Sequence, residues 1–180
     1  GLRSDGERWD RLFRRIEQSP VVVLAEIKGN ALGAGLGLAL ACDLRMGAGT
    51  ARIGVPEVRV GLLPAGRTMD RLVGLAGMGT AQRLLLGGDI IDGVEALRLG
   101  LVHWLAEDDQ LEAQARSMAQ RVAGQSADAL RQAKRLLAAT RRRAPQGAGE
   151  VEGAAFDQLI RGEEPRGRIR ALLGRLARQQ

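Results

Sequence analysis

The residues of this 180-residue chain best suited to chemistry are a glycine-rich run, Gly33-Ala34-Gly35-Leu36-Gly37, and a single acid further on, Glu57. The run follows a β-branched stretch and precedes a small apolar one, so it reads as a tight turn that opens a helix. A phosphate loop needs a Lys-Ser/Thr ending, and none follows Gly37. A dinucleotide-binding turn needs Gly-x-Gly-x-x-Gly; here the glycines alternate, and neither Leu38 nor Ala39 completes the spacing. The third reading is an oxyanion site. First-turn N–H groups have no intrahelical acceptor, and with the helix dipole they suit a carbonyl oxygen that becomes negative. Close packing of a helix on a strand, with no ligand, accounts for the same glycines equally well.

Glu57 stands in Val55-Pro56-Glu57-Val58, among apolar neighbours and after a proline that fixes the backbone. An apolar setting favours the neutral acid and suits a proton shuttle, although acids after a proline are also common as solvated turn residues. Other reactive types are sparse. Cys42 is the one cysteine and cannot close an internal disulfide, and with His103 as the one histidine a zinc site is not expected. Cys42 reads as core and His103 as a strand residue; Asp43 and Arg45 read as structural partners near a strand.

The elements that must position these residues follow from periodicity. Trp9, Leu12, Phe13 and Ile16 share one face of an amphipathic helix that ends near Ser19-Pro20. The β-branched residues 21–27 predict a buried strand feeding the glycine-rich turn. Short strands are expected over 43–46 and 51–53, around a turn at Gly47-Ala48-Gly49. A helix is expected from Thr68 to Gly87-Gly88. Asp92 predicts an N-cap, with Glu95 in the position of a capping box, for a helix ending at Gly100 before a strand over 101–105. Helices follow over 109–123, 126–140, 149–161 and after Pro165. This order is α/β: a core over 1–125 and a helical region over 126–180.

Composition narrows the class. The chain is 45% hydrophobic and 27% charged, enough for one substantial core. Residues 31–42 form the longest apolar run, too short to cross a membrane and interrupted by glycine, so an intracellular, cytoplasmic protein is expected with no membrane partner. The net charge of +6 comes from scattered arginines, since Lys28 and Lys134 are the only lysines. With aromatics at 2%, the pattern does not point to nucleic acid; a basic surface also suits a phosphate-bearing substrate.

Several segments together resemble the enoyl-CoA hydratase/isomerase (crotonase) superfamily. They are Ser19-Pro20-Val21-Val22-Val23, Lys28-Gly29-Asn30-Ala31-Leu32-Gly33-Ala34-Gly35, Leu38 through Arg45, Pro56-Glu57-Val58-Arg59-Val60-Gly61-Leu62-Leu63-Pro64, residues 86–102, residues 127–137 and residues 164–173, in family order and near-family spacing. The resemblance implies repeated strand-strand-helix turns, with the early turns lying outside this chain, and C-terminal helices that form a homotrimer or hexamer. It implies an acyl-CoA substrate, no separate cofactor and no metal. It places an oxyanion donor at the Ala34 N–H, with Gly33, Gly35 and Gly37 around it. Of the two glutamates that hydratases use, the first maps to Gly37 and the second to Glu57. A single acid at Glu57 is similar to the family's enoyl-CoA isomerases, so double-bond isomerisation or related enolate chemistry is expected. The alternative is a non-catalytic acyl-CoA-binding or oligomer-forming remnant. The loop Ala65-Gly66-Arg67-Thr68-Met69-Asp70 is shorter than the family's usual one.

Overall fold

The computed structural model describes residues 2–142 and residue 163. Two compact units are present, the first running to Arg121 and the second starting at Val122. The helices expected over 149–161 and after Pro165, and with them most of the expected oligomer-forming region, lie outside the described residues.

The first unit opens with α1 (Leu2–Gln18), which the Trp9, Leu12, Phe13 and Ile16 face had indicated. Phe13 is fully buried, while Trp9 and Leu12 stay partly exposed. Two strand-strand-helix turns follow. β1 (Leu24–Ile27), β2 (Asn30–Leu32) and α2 (Ala34–Ala41) make the first; β3 (Leu44–Ala48), β4 (Arg52–Gly54), a short 3₁₀ helix (Pro56–Val60) and α3 (Thr68–Leu86) make the second. β5 (Ile90–Ile91), α4 (Gly93–Arg98), β6 (Trp104–Ala106) and α5 (Leu111–Ala123) complete the order. Equivalent strands stack: β1, β3 and β6 form one parallel sheet, and β2 pairs parallel with β4, which pairs antiparallel with β5. Sheets built this way put each helix between successive strand pairs, where its apolar side is buried. Leu36, Leu40, Ile53, Val55, Leu72, Leu84, Leu101 and Leu111 have essentially no exposed surface, each such side chain contributing about 1.5–3 kcal/mol of apolar burial.

Local expectations are corrected at several places. The strand expected over 21–27 is regular only from Leu24, because the Val23 N–H and C=O are taken by Asp43 and Leu44. It is not buried along its length either: of β1, only Ile27 is buried. Residues 30–32 form β2, where a turn was expected. Paired with β4, they leave only Lys28-Gly29 at the corner. β3 runs through Gly47 and Ala48, since Gly47 is paired on both sides, with Ile27 and Leu105. Leu101 and Val102 are not strand; both N–H groups donate to Ala96 O and close the end of α4. α3 breaks at Gly77, whose φ of 79° lies outside the helical region.

Capping follows the sequence in part. Asp92 Oδ1 accepts the Glu95 N–H at 2.8 Å. The reciprocal half of a capping box is missing because the Glu95 carboxylate turns to Arg83 instead, at 2.5 Å. Arg83 also pairs with Asp89 at 2.8 Å, and the two acids raise its guanidinium above its usual range, Glu95 contributing most. The second unit contains α6 (Ala127–Arg142), with Ser126 Oγ accepting the Ala129 N–H at 3.4 Å at its start.

Buried polarity is concentrated on Arg45, which is 1% exposed. Its Nε donates to Leu101 O at 2.7 Å and its Nη1 to Cys42 O at 2.8 Å. His103 lies along it, Nδ1 facing the Arg45 N–H at 3.1 Å and Nε2 facing Nη2 at 2.9 Å. Asp43 and Arg45 therefore tie the end of α2 to Val23 and Leu101, in the structural roles the sequence suggested, whereas His103, expected inside a strand, precedes β6 and lies along Arg45 instead. Cys42 is buried, as expected of a core cysteine.

Candidate active site

Gly33 ends β2 and caps α2 with φ 56° and ψ −120°, a conformation side-chain-bearing residues rarely adopt. Its N–H donates to Gly54 O at 2.9 Å, fixing the start of α2 against β4. Ala34, half-buried, is the first residue of α2, so its N–H emerges where the helix offers no acceptor. Gly35 is exposed, with open space where a side chain would begin. Gly37 is buried one turn on, its N–H donating to Gly33 O at 2.9 Å.

Pro56 starts the 3₁₀ helix and presents Glu57 toward α2. The Glu57 carboxylate lies against the Gly33 backbone. A Cβ on Gly33 would overlap Glu57 Oε1 and stand 3.0 Å from Cδ. Glu57 Oε2 is buried and has no hydrogen-bond partner among the described residues. Such an oxygen costs free energy unless something bonds to it, so the site stores a polar demand that a substrate proton or donor can meet. The structure thus brings Glu57 and the start of α2 together, although 20 or more residues separate them in sequence.

Gly37 faces a different surrounding. A Cβ there would overlap Thr68 Oγ1 and come within 2.9 Å of Phe13 Cε2. Both side chains are fully buried. Neither was singled out for the site from sequence. Phe13 read only as one of a helix's apolar residues, and no local signal links it to residues 24 positions away.

The strand-strand-helix repeats, the glycine-capped α2 and a half-buried carboxylate against its N-cap now stand together. The enoyl-CoA hydratase/isomerase family model matches residues 4–173. The chain belongs to the enoyl-CoA hydratase/isomerase family. Among its relatives, a probable enoyl-CoA hydratase of Bacillus subtilis is 34% identical over 168 residues, 93% of this chain and 65% of that protein. An enoyl-CoA isomerase/hydratase of Mycosarcoma maydis is 31% identical over 86% of this chain and 57% of its own length. The solved structure of DspI from Pseudomonas aeruginosa superposes with a TM-score of 0.91 at 34% identity, covering 97% of this chain and 66% of that one. The chain therefore spans less than two thirds of the curated relatives it matches.

As a family member, the chain has the crotonase-like α/β fold expected from its motifs. Within this fold the acidic and hydrogen-bonding groups around α2 come from this chain's own β2–α2 corner and 3₁₀ helix. Among the described residues no cluster of three or more His, Cys, Asp or Glu side chains could hold a metal ion, and no helix is long and apolar enough to cross a membrane.

Proposed function

We propose that this chain binds an acyl-CoA thioester and moves the double bond of an enoyl-CoA, with Glu57 as the single acid/base and the Ala34 N–H as an oxyanion donor. The observation that carries the reading is the Glu57 carboxylate, with one oxygen buried and unpartnered among the described residues, lying against Gly33 at the start of α2. Glu57 takes a proton from C2 of a 3-enoyl thioester. The electron pair moves into the thioester carbonyl, whose oxygen becomes negative where the helix dipole and first-turn N–H groups favour it. The same carboxyl returns the proton to C4, and the double bond ends between C2 and C3. One carboxylate suffices because the proton leaves and returns on one face.

Hydration is the second reading, favoured by the naming of the Bacillus subtilis relative. It asks for a group that delivers water and another that protonates C2, and Gly37 supplies no carboxylate. We further propose assembly as a homotrimer or hexamer, which light scattering on the purified chain tests.

The deciding experiment is conversion of a 3-enoyl-CoA and a 2-enoyl-CoA by the purified chain beside Glu57→Gln. Double-bond migration that falls by about 10²- to 10⁴-fold in the variant supports the acid/base role. Hydration without migration would replace isomerisation by the second reading. Thioester binding with no turnover of either substrate would make the chain an acyl-CoA-binding protein instead.

A further inference from the structure

The 3₁₀ helix that carries Glu57 turns once in three residues, so side chains three positions apart stand on the same side. Val60 is three residues after Glu57 and ends that helix. Gly33 lies against the carboxylate, yet one turn on, roughly 6 Å along the axis, Val60 is 73% exposed. Gly61 then takes φ 72° and closes the helix. Its N–H donates to Val58 O at 3.2 Å, and the Leu62 N–H reaches back to Glu57 O at 3.0 Å. This pair of bonds is a Schellman closure, which folds Leu62 back beside the turn it ends. Leu62 is 48% exposed there.

The helix's charged side chain beyond Glu57 is placed elsewhere. Arg59 Nε and Val58 Cγ2 lie 3.2 and 3.3 Å from the Cβ position of Gly88, against the segment that follows α3. A lone exposed valine carries no message, because folded chains leave much apolar surface in water. Val60 and Leu62 differ in their placing. Both flank the residue whose buried oxygen is unpartnered among the described residues, and both are reached from solvent. A thioester whose C2 and C4 lie at the Glu57 carboxylate must lead its remaining carbons away from it. The solvent-open surface that begins one turn from the carboxylate is apolar and uncharged.

We propose that Val60 and Leu62 seat the acyl tail, so that the substrate class is an enoyl thioester with an unbranched apolar chain extending well past C4. The inference rests on the acyl-CoA reading above and names the substrates that reading leaves open. A methylene removed fully from water is worth about fourfold in an equilibrium, and one half-covered on an open surface about twofold. A tail bearing a hydroxyl or carboxylate at these carbons would be desolvated with no partner, and is disfavoured.

The test measures kcat and KM for 3-hexenoyl-CoA and 3-decenoyl-CoA with the purified chain, Val60→Thr, Leu62→Gln, the double variant and Val60→Met. The two substrates differ by four methylenes, so the parent's kcat/KM should favour 3-decenoyl-CoA by about tenfold or more. Val60→Thr keeps the shape of the side chain and puts a hydroxyl under the tail. The preference should fall about threefold in the double variant, less in each single polar variant, and rise in Val60→Met. The change should be carried by KM, because contact with a remote tail holds ground state and transition state alike. An unchanged preference in folded variants overturns the proposal. A fall carried by kcat also overturns it, since the two residues would then act by placing Glu57. A double variant that keeps the preference but has a lower mass in light scattering makes the patch a contact between copies instead. A parent chain that turns over neither substrate sinks the isomerase reading alone. Calorimetric binding of hexanoyl-CoA and decanoyl-CoA to the same variants then decides the tail seat, and equal affinity of the parent for the two overturns it.

Discussion

The Glu57 Cδ atom lies 3.0 Å from the point where a side chain on residue 33 would begin, so Gly33 and Glu57 are complementary: the glycine makes room for the carboxylate. Gly33→Ala combines that overlap with a positive φ that alanine tolerates poorly. The expected loss of stability is about 1–3 kcal/mol, read from the urea midpoint. Activity should fall further than the stability loss explains, because the displaced carboxylate no longer meets the first turn of α2. A variant that melts and turns over like the parent would show that the two groups do not constrain each other.

The unpartnered Glu57 Oε2 implies a trade between stability and activity. Glu57→Leu removes a buried oxygen that no described residue bonds. Its unfolding free energy should rise by about 1 kcal/mol while double-bond migration disappears. Equal or lower stability in denaturant titrations would mean that the carboxylate is satisfied in solution by a group outside this structure.

How much of this was legible in the sequence depends on distance along the chain. The start of α2, the Asp92 cap and the acid after Pro56 are local patterns, and each is found where its neighbours place it. β2 was missed because three residues, Asn30–Leu32, carry too little alternation to register as a strand; their pairing with Arg52–Gly54 makes them one. The opposite error at Leu101 and Val102 has a similar origin. Apolar character, with a β-branched Val102, suits a strand, yet their N–H groups are claimed by Ala96 O. Phe13 shows the limit most clearly. Its helix was legible, but its packing against Gly37 and Gly66 arises only when three distant segments meet.

The N-cap offers a calibrated check. Asp92→Ala removes the acceptor for the Glu95 N–H and should cost about 1 kcal/mol. Asp92→Asn should retain most of it, since a side-chain oxygen remains. Thermal melts that rank aspartate and asparagine together above alanine agree with the bond seen; no difference among the three would mean that the cap is frayed in solution.

Arg45 tests a buried framework away from the chemistry. Arg45→Leu leaves Leu101 O and Cys42 O, both bonded by this side chain, without their donor. Leaving two buried acceptors unsatisfied should cost about 3 kcal/mol or more. Arg45→Lys should recover only part, because one ammonium cannot reproduce the planar fork that meets both carbonyls and lies against His103. Denaturant midpoints in the order Arg, Lys, Leu are expected, and a lysine variant as stable as the parent would show that charge alone suffices.

Arg71 links α1 to α3 and bears on the buried Phe13 ring. It is 8% exposed, pairs with Glu17 and lies over Phe13. Arg71→Met keeps length and apolar packing while removing the guanidinium that pairs with the Glu17 carboxylate. A loss of about 2 kcal/mol is expected, less than for a fully buried pair because Glu17 keeps some solvent. Glu17→Gln in the same background should then cost little further, since the two residues act as one unit. Additive losses in this double-mutant cycle would show that the pair is not coupled, and that Phe13 is held by packing against Trp9, Gly37 and Gly66 alone.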